Sequence, residues 1–182
     1  MFEGTRSEMT VATARRVTTP GPRGFTLLEI LVVVVILAIA AAMAVPMLSA
    51  GGATKLQAAA EMVAADLEYA KSMAISRGGR YRVTFDVAGN AYQVEDPNGA
   101  VIDHPITKGS PYVVDFDGGR LSGVEIASAD FDGTAGVQFD SLGSPYRATE
   151  EALDSGVLTL RIGDRTETVH VEPVTGMITI GD

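Results

Sequence analysis

The feature that most constrains this chain is a run of nineteen apolar residues, 30–48, with an acidic residue, Glu29, directly before it. About twenty apolar residues are long enough to cross a bilayer as a helix. A carboxylate at the membrane centre costs roughly 2.5–3.5 kcal/mol, so one placed here is expected to have a function and a positively charged partner. Cutting the chain after Gly24 would create such a partner, the free α-amino group of Phe25.

Residues 23–29 read Arg-Gly-Phe-Thr-Leu-Leu-Glu, and together with the apolar run they resemble the N-terminus of type IV prepilins and type II secretion pseudopilins. In that family a peptidase cuts after the glycine, and the new N-terminal phenylalanine is N-methylated. The glutamate then pairs with the N-terminus of a neighbouring subunit during filament assembly. The resemblance therefore implies cleavage between Gly24 and Phe25, N-methylation of Phe25 and an assembly role for Glu29.

Three other interpretations of the segment were considered: a plain membrane anchor, a secretory signal peptide and a buried core helix. An anchor gains nothing from Glu29. A signal peptide has an apolar stretch of roughly 7–15 residues and a small-x-small cleavage site. Ala-x-Ala occurs at 38–40 and 42–44, but this apolar run is longer than that. A core helix of such uniform apolarity is unexpected in so small a protein.

Charge predicts how the chain is oriented in the membrane. Residues 1–24 carry four arginines and two glutamates, whereas residues 25–182 carry ten basic and twenty-one acidic residues. Basic segments stay on the cytoplasmic side of a membrane. We therefore expect a single-pass protein whose C-terminal domain lies on the side opposite the cytoplasm. The resemblance to prepilins implies that this membrane is the bacterial inner membrane, that the domain is periplasmic, and that the subunit is later extracted into a filament. The start of translation, Met1 or Met9, is left open.

The pattern beyond the apolar run predicts the second half of a long helix. Pro46 lacks a backbone donor and clashes with the carbonyl four residues earlier, so a kink is expected there. Gly78 and Gly79 are expected to end the helix, because glycine readily adopts the left-handed cap. Between Pro46 and Gly78, apolar residues recur at intervals of four, three, four, three and four, and we expect them to form one helical face that covers a sheet. These residues are Leu56, Ala60, Val63, Leu67, Ala70 and Ala74.

After Gly79 the apolar period changes to two, which indicates strands. They are predicted at 81–86, 91–95, 112–116, 124–127, 137–139, 157–162, 166–172 and 177–180. The predicted fold class is α+β: a long N-terminal helix, first transmembrane and then amphipathic, packed on a C-terminal antiparallel β-rich domain, as in pilins. The expected segments are a leader at 1–24, a transmembrane half-helix at 25–48, an amphipathic half-helix at 49–78 and a periplasmic domain at 79–182.

A second resemblance covers most of the chain after residue 25. Residues 65–78, 137–145, 156–160 and 168–178 are similar to the H-type (GspH/FimT) branch of minor pseudopilins and pilins. It implies a minor pseudopilin of a type II secretion system, assembled at or near the tip of a pseudopilus. The alternative is a minor pilin of a type IV pilus. The implied partners are the prepilin peptidase, other pseudopilins or pilins, and the inner-membrane assembly platform.

Composition argues against an enzyme. The chain has no cysteine and only two histidines, His104 and His170, and neither belongs to a recognisable nucleophile or metal pattern. Some relatives bind DNA through basic residues, and Arg77, Arg80 and Arg82 lie close together. The strong acidity of the chain makes nucleic-acid binding unexpected, because contacts to phosphate supply most of that affinity.

One sequence repeat could hold a cation. Asp-Phe-Asp-Gly occurs twice, with its acids at Asp115 and Asp117 and again at Asp130 and Asp132. Calcium prefers carboxylate and carbonyl oxygens, and glycine permits a sharp turn around the ion. However, a calcium loop also needs a later bidentate glutamate, and Asp-Gly is equally the signature of a tight turn. We favour turns, keep calcium as the alternative, and expect no other cofactor.

Overall fold

The computed structural model describes residues 24–181, and within them the side chains of 42–50 are left out. The leader up to Arg23, with Met1 and Met9, therefore lies outside the described residues, as does Asp182. The chain divides into two units at Ala42 and Met43. One helix, α1 (Leu27–Arg77), contributes to both.

In the first unit, the large apolar side chains from 25 to 39 are each at least 47% exposed. An apolar surface of this extent needs a covering from lipid or from another protein. Among the helical residues whose side chains are described, no stretch is both long and apolar enough to cross a membrane. Pro46 falls among the side chains left out, so the kink stays a prediction.

The second unit contains two antiparallel sheets. Their strand orders are β3-β2-β1-β5-β6 and β4-β7-β8-β9. The strands are β1 (Tyr81–Asp86), β2 (Ala91–Glu95), β3 (Val113–Asp115), β4 (Glu125–Phe131), β5 (Gly136–Phe139), β6 (Pro145–Arg147), β7 (Gly156–Ile162), β8 (Arg165–Val171) and β9 (Ile178–Gly181), and a single 3-10 turn covers Gly119–Leu121. The predicted α+β architecture is confirmed.

Most strand predictions are confirmed, two of them residue for residue, β1 and β2. The others differ by one residue at either end, except that β4 runs to Phe131 and is bent by a bulge between Ile126 and Ser128. The prediction missed β6, which is three residues long and begins with Pro145. Proline lacks the donor that a central strand needs, but it is tolerated at a sheet edge such as this one.

The predicted apolar stripe of α1 is confirmed as core. The six predicted residues are each at most 2% exposed, and Ala59 beside them is also buried; the six are Leu56, Ala60, Val63, Leu67, Ala70 and Ala74. The domain adds a cluster of aromatic rings in which Phe85 stacks on Phe131 at 5.6 Å, and Tyr92 contacts Phe85 at 5.5 Å. Small residues on the helix allow its backbone to approach the sheets, while these rings fill the remaining volume at interior packing density.

The helix ends where glycine was expected to end it. Gly78 has φ +67°, and the amides of Gly78 and Gly79 both donate to the carbonyl of Ala74, at 3.0 and 3.2 Å. The left-handed residue turns the chain back and satisfies an otherwise unpaired carbonyl. This reversal starts β1 directly beside the end of the helix.

Three polar side chains of α1 hold it to the domain. Lys55 Nζ donates to the carbonyl of Ser122 at 3.3 Å, and Lys71 Nζ donates to the carbonyl of Gly176 at 2.9 Å. The third is Asp66, which accepts hydrogen bonds from two tyrosines. These contacts add directional bonds to the apolar packing, so they fix the register of the helix on the sheets.

A Gly176→Ala variant is expected to lose about 3 kcal/mol of unfolding free energy. Gly176 has φ +59°, and a Cβ there would lie 2.5 Å from the carbonyl oxygen of Gly143. The left-handed conformation costs a non-glycine residue roughly 1–2 kcal/mol, and overpacking adds about 1–3 kcal/mol. Gly163→Ala is the matched control, because Gly163 has φ +58° with no atom within 4 Å. Equal losses in thermal unfolding of the two variants would contradict the role of the close approach.

Candidate functional site

The N-terminal motif begins α1 with a helix cap. The amide of Glu29 donates to Thr26 Oγ1 at 3.2 Å, and the amide of Ile30 donates to the Thr26 carbonyl at 3.2 Å. A threonine cap followed three residues later by glutamate is the capping-box spacing. The observed bond uses the backbone amide of Glu29, and the Thr-Leu-Leu-Glu spacing would also allow the Glu29 side chain to accept from the Thr26 amide.

The residues around this cap are open to their surroundings. Phe25 is 77% exposed and Leu27 is 86% exposed, and Glu29 is also exposed. Among the side chains that the structure describes, no basic group forms an ion pair with Glu29. Within the described chain, the carboxylate thus has only the positive end of its own helix dipole as a favourable neighbour.

A half-buried carboxylate clasp, centred on Asp66, joins α1 to the first sheet. Tyr92 OH donates to Asp66 Oδ2 at 2.5 Å, and Tyr112 OH donates to Asp66 Oδ1 at 2.7 Å. Burial raises the pKa of the Asp66 carboxyl, although the hydrogen bonds from both phenols oppose that shift. Burial, together with the nearby Asp66 charge, also raises the pKa of both Tyr92 and Tyr112 above their usual range. The clasp is a structural anchor rather than a site of acid–base chemistry.

The two histidines have structural roles. His104 Nδ1 accepts from the amides of Ile106 and Thr107, at 3.2 and 3.3 Å, so its proton lies on Nε2. His170 Nε2 lies 2.9 Å from Thr168 Oγ1 on the same strand. Thr168 Oγ1 donates to the carbonyl of Gly181 at 2.9 Å, so the contact between Thr168 and His170 belongs to a bond network within the β8–β9 pair.

Both Asp-Phe-Asp-Gly segments use their first aspartate in a local turn. Asp115 Oδ1 accepts from the amide of Asp117 at 2.7 Å, and Asp130 Oδ1 accepts from the amide of Gly133 at 2.8 Å. Such bonds mimic a backbone turn and explain why Asp is frequent there. The central phenylalanine of each repeat is fully buried. The repeat therefore marks turns that are anchored in the core.

The second aspartate of each repeat binds a distant segment. Asp117 Oδ1 accepts from Asn90 Nδ2 at 2.7 Å, and Asp132 accepts from the amides of Asp154 and Ser155, at 2.7 and 3.0 Å. Within the part of the chain that the structure describes, no three acidic or histidine side chains converge as metal ligands. The calcium interpretation gains no support from this arrangement and stays a prediction.

Two of the three arginines near the end of the helix contact acids or an aromatic ring. The Arg80 guanidinium lies 4.7 Å from the centre of the Tyr146 ring and 3.7 Å from Glu150. Arg82 lies 3.7 Å from Glu95. Nearby carboxylates neutralise the local positive field that a phosphate backbone would need. This pairing favours a structural role for these two arginines, whereas Arg77 is exposed.

Two family models match different parts of the chain. The prokaryotic N-terminal methylation motif matches residues 21–45. The profile described as type II transport protein GspH matches residues 59–175. The chain belongs to the GspH family. It is therefore a minor pseudopilin of type II protein secretion, as the sequence resemblance implied, and the methylation motif implies a membrane anchor.

Solved structures with a similar fold include two bacterial filament proteins. The type IV minor pilin FimU of Pseudomonas aeruginosa is 16% identical, with a TM-score of 0.49 over 71% of this chain and 90% of that one. The minor pseudopilin EpsH of Vibrio cholerae is 11% identical, with a TM-score of 0.49 over 69% of this chain and 95% of that one. No protein of curated function matches the sequence significantly.

The two family matches cover different sets of the residues described above. GspH proteins are structural subunits, so the family points to assembly contacts rather than to catalysis. The methylation motif spans Gly24, Phe25 and Glu29, whose individual roles stay predictions. The Asp66 clasp lies within the GspH segment.

Proposed function

We propose that this GspH-family subunit is cut after Gly24 by the prepilin peptidase and N-methylated at Phe25. Residues 25–48 then hold it in the inner membrane with its acidic domain in the periplasm. The assembly platform lifts it into the pseudopilus, at or near the tip. The observation that carries the proposal is the union of a methylation motif at 21–45 with a GspH segment at 59–175.

The role of Glu29 follows from the cost of an unpaired charge. In lipid or in a filament core, an isolated carboxylate is strongly destabilising unless an opposite charge accompanies it. Cleavage gives each subunit one new amine, at Phe25, in the same apolar surroundings. The Phe25 amine of an adjacent subunit can pair with the exposed Glu29 carboxylate, so the pair forms only when subunits meet. The bond would thus set the register between neighbours.

The first experiment is intact-mass measurement and N-terminal sequencing of the protein recovered from membranes. We expect a chain that starts at Phe25 and is heavier by one methyl group. Gly24→Leu is the control, and it should stay uncut because the peptidase cuts after glycine. A Cβ at Gly24 would meet no atom within 4 Å, so the substitution should not disturb the structure. A chain that starts near Ala41 or Val45 would indicate an ordinary signal peptide and would overturn the proposal.

A further inference from the structure

The four sheet edges of the domain differ in how they are protected. An open edge presents unpaired amides and carbonyls, so proteins usually cover it, shorten it, bend it or place charge or proline on it. Edge strand β3 has only three residues, and β6 begins with Pro145 and is covered where Tyr146 bridges to Ala152. Strand β4 is bent by its bulge and carries Glu125 and Asp130. Each of these three edges is guarded.

Among the described residues, strand β9 carries no proline, charged residue, bulge or covering bridge, although at four residues it is also short. Its sequence is Ile-Thr-Ile-Gly, without charge or proline, and it pairs regularly with β8 alone. The amide of Glu172 donates to the carbonyl of Met177 where the hairpin closes. Hydrogen-bonded pairs alternate along an antiparallel ladder, so Ile178 and Ile180 direct their backbone groups away from β8. Among the described residues, no backbone hydrogen bond outside that ladder reaches Ile178 or Ile180.

The turn that leads into β9 adds apolar surface at one end of this edge. Val174 is 80% exposed, and Met177 is 53% exposed. Val174 also has φ +63°, which is unusual for a β-branched side chain and indicates local strain.

The charge around the edge indicates what would cover it. Glu172 follows β8 directly, and Glu167 precedes Thr168, which is paired with Gly181. Lys71 also reaches this hairpin, at the carbonyl of Gly176, but it is paired with Glu68 at 2.8 Å. Residues 51–181 carry ten basic and nineteen acidic residues in total, so the net charge around the edge is negative. A second copy of the chain would be repelled, whereas a basic segment would be attracted.

We propose that β9 accepts an extended strand from a partner protein, with basic residues flanking a short stretch of β-branched ones. The partner's main chain would bond to the amides and carbonyls of Ile178 and Ile180, extending the second sheet by one strand. Main-chain bonds supply affinity in this mode, and side chains supply specificity. The proposal concerns the domain alone, so it does not depend on cleavage or methylation at the N-terminus.

Two synthetic peptides test the proposal: acetyl-Lys-Val-Thr-Val-Thr-Val-Lys-amide and the same peptide with glutamate at both ends. Binding to the full chain in detergent micelles is measured by fluorescence anisotropy, and backbone protection is measured by hydrogen exchange with mass spectrometry. We expect the lysine peptide to bind at least about tenfold more tightly at low salt and to lose that advantage as salt rises. Protection should increase over residues 177–181.

A pair of variants tests the backbone amide of Ile180, which points away from β8. Ile180→Pro removes this amide without breaking a β8–β9 bond, whereas Ile180→Ala trims the same side chain and keeps the amide. The proline variant should bind the lysine peptide about fivefold more weakly than the alanine variant, which corresponds to one hydrogen bond of about 1 kcal/mol. Thermal unfolding of both variants reports any loss of folding.

Three outcomes would overturn the proposal. The first is equal binding of the two peptides at low salt, and the second is unchanged exchange at 177–181 when the lysine peptide is bound. The third is a doubling of mass at high protein concentration with β9 protected and no peptide present, which would assign the edge to a second copy. A mature chain that starts near Ala41 or Val45 would contradict only the processing proposal, so the strand proposal and the processing proposal can fail separately.

Discussion

A Glu29→Gln variant is expected to be cut and methylated normally but to enter the pseudopilus about a hundredfold less than wild type. Removing one partner of a buried charge pair costs about 3–5 kcal/mol, because the other charge is left uncompensated. Here that other charge is the Phe25 amine of the adjacent subunit. The measurement is quantitative immunoblotting of the variant in isolated pseudopili, beside mass spectrometry of the membrane pool.

Two further substitutions separate pairing from helix capping. Glutamine can replace glutamate in a capping box, so Glu29→Gln keeps the cap and loses only the charge. Glu29→Asp keeps the charge and should assemble better than Glu29→Gln, whereas Glu29→Ala loses both properties. Normal assembly of the glutamine variant with failure of the alanine variant would assign Glu29 to the cap beside Thr26 and would contradict the pairing.

An Asp66→Ala variant is expected to lose about 3 kcal/mol of unfolding free energy. Its removal leaves the Tyr92 and Tyr112 hydroxyls without acceptors, in side chains that are 1% and 3% exposed. Each buried unsatisfied group costs about 1–3 kcal/mol, and the recovered desolvation of the carboxylate offsets part of that. Thermal unfolding of the full chain in detergent, followed by circular dichroism, measures the loss. The exposed Glu61→Ala on the same helix is the control and should change stability by less than about 0.5 kcal/mol.

The Asp66 carboxylate should make the free energy of unfolding depend on pH. The sign of this dependence is opposite to that for most acidic residues, whose pKa is lower in the folded state. Burial raises the pKa of folded Asp66 above its ordinary 3.8, so the folded state binds more protons than the unfolded state between those two values. Wild-type stability relative to Asp66→Ala should therefore fall as pH rises through this window. The stability of wild type relative to Asp66→Ala should be lowest at pH values above the raised pKa of Asp66. A difference that grows with pH would show that the phenol hydrogen bonds outweigh burial.

The sequence predicted those features that depend on neighbouring residues. The Gly78–Gly79 helix stop and the strands at 81–86 and 91–95 were predicted from spacing alone, because glycine conformation and strand alternation are local properties. The buried stripe of α1 was predicted for the same reason. Strand β6 was not, because three residues that begin with Pro145 carry too little pattern to separate a strand from a loop.

The clasp could not have been predicted, because its members lie far apart in sequence. Tyr92 and Tyr112 reach Asp66 across 26 and 46 positions. Their meeting depends on which face of the helix lies against which strand, and a single sequence does not give that arrangement. Asp66 lies outside the apolar stripe that was predicted for α1. Similarly, the contacts from Asp132 to residues 154 and 155 join loops whose proximity depends on the sheets.

The three polar contacts of α1 have a mechanical consequence. Lys55, Asp66 and Lys71 are spread along the helix, and each bonds to a different part of the domain. A pull along the helix axis therefore loads all three bonds in shear at once, together with the apolar stripe between them. Bonds loaded together resist rupture far better than bonds peeled one after another. A force applied along α1 can thus move the domain without unfolding it.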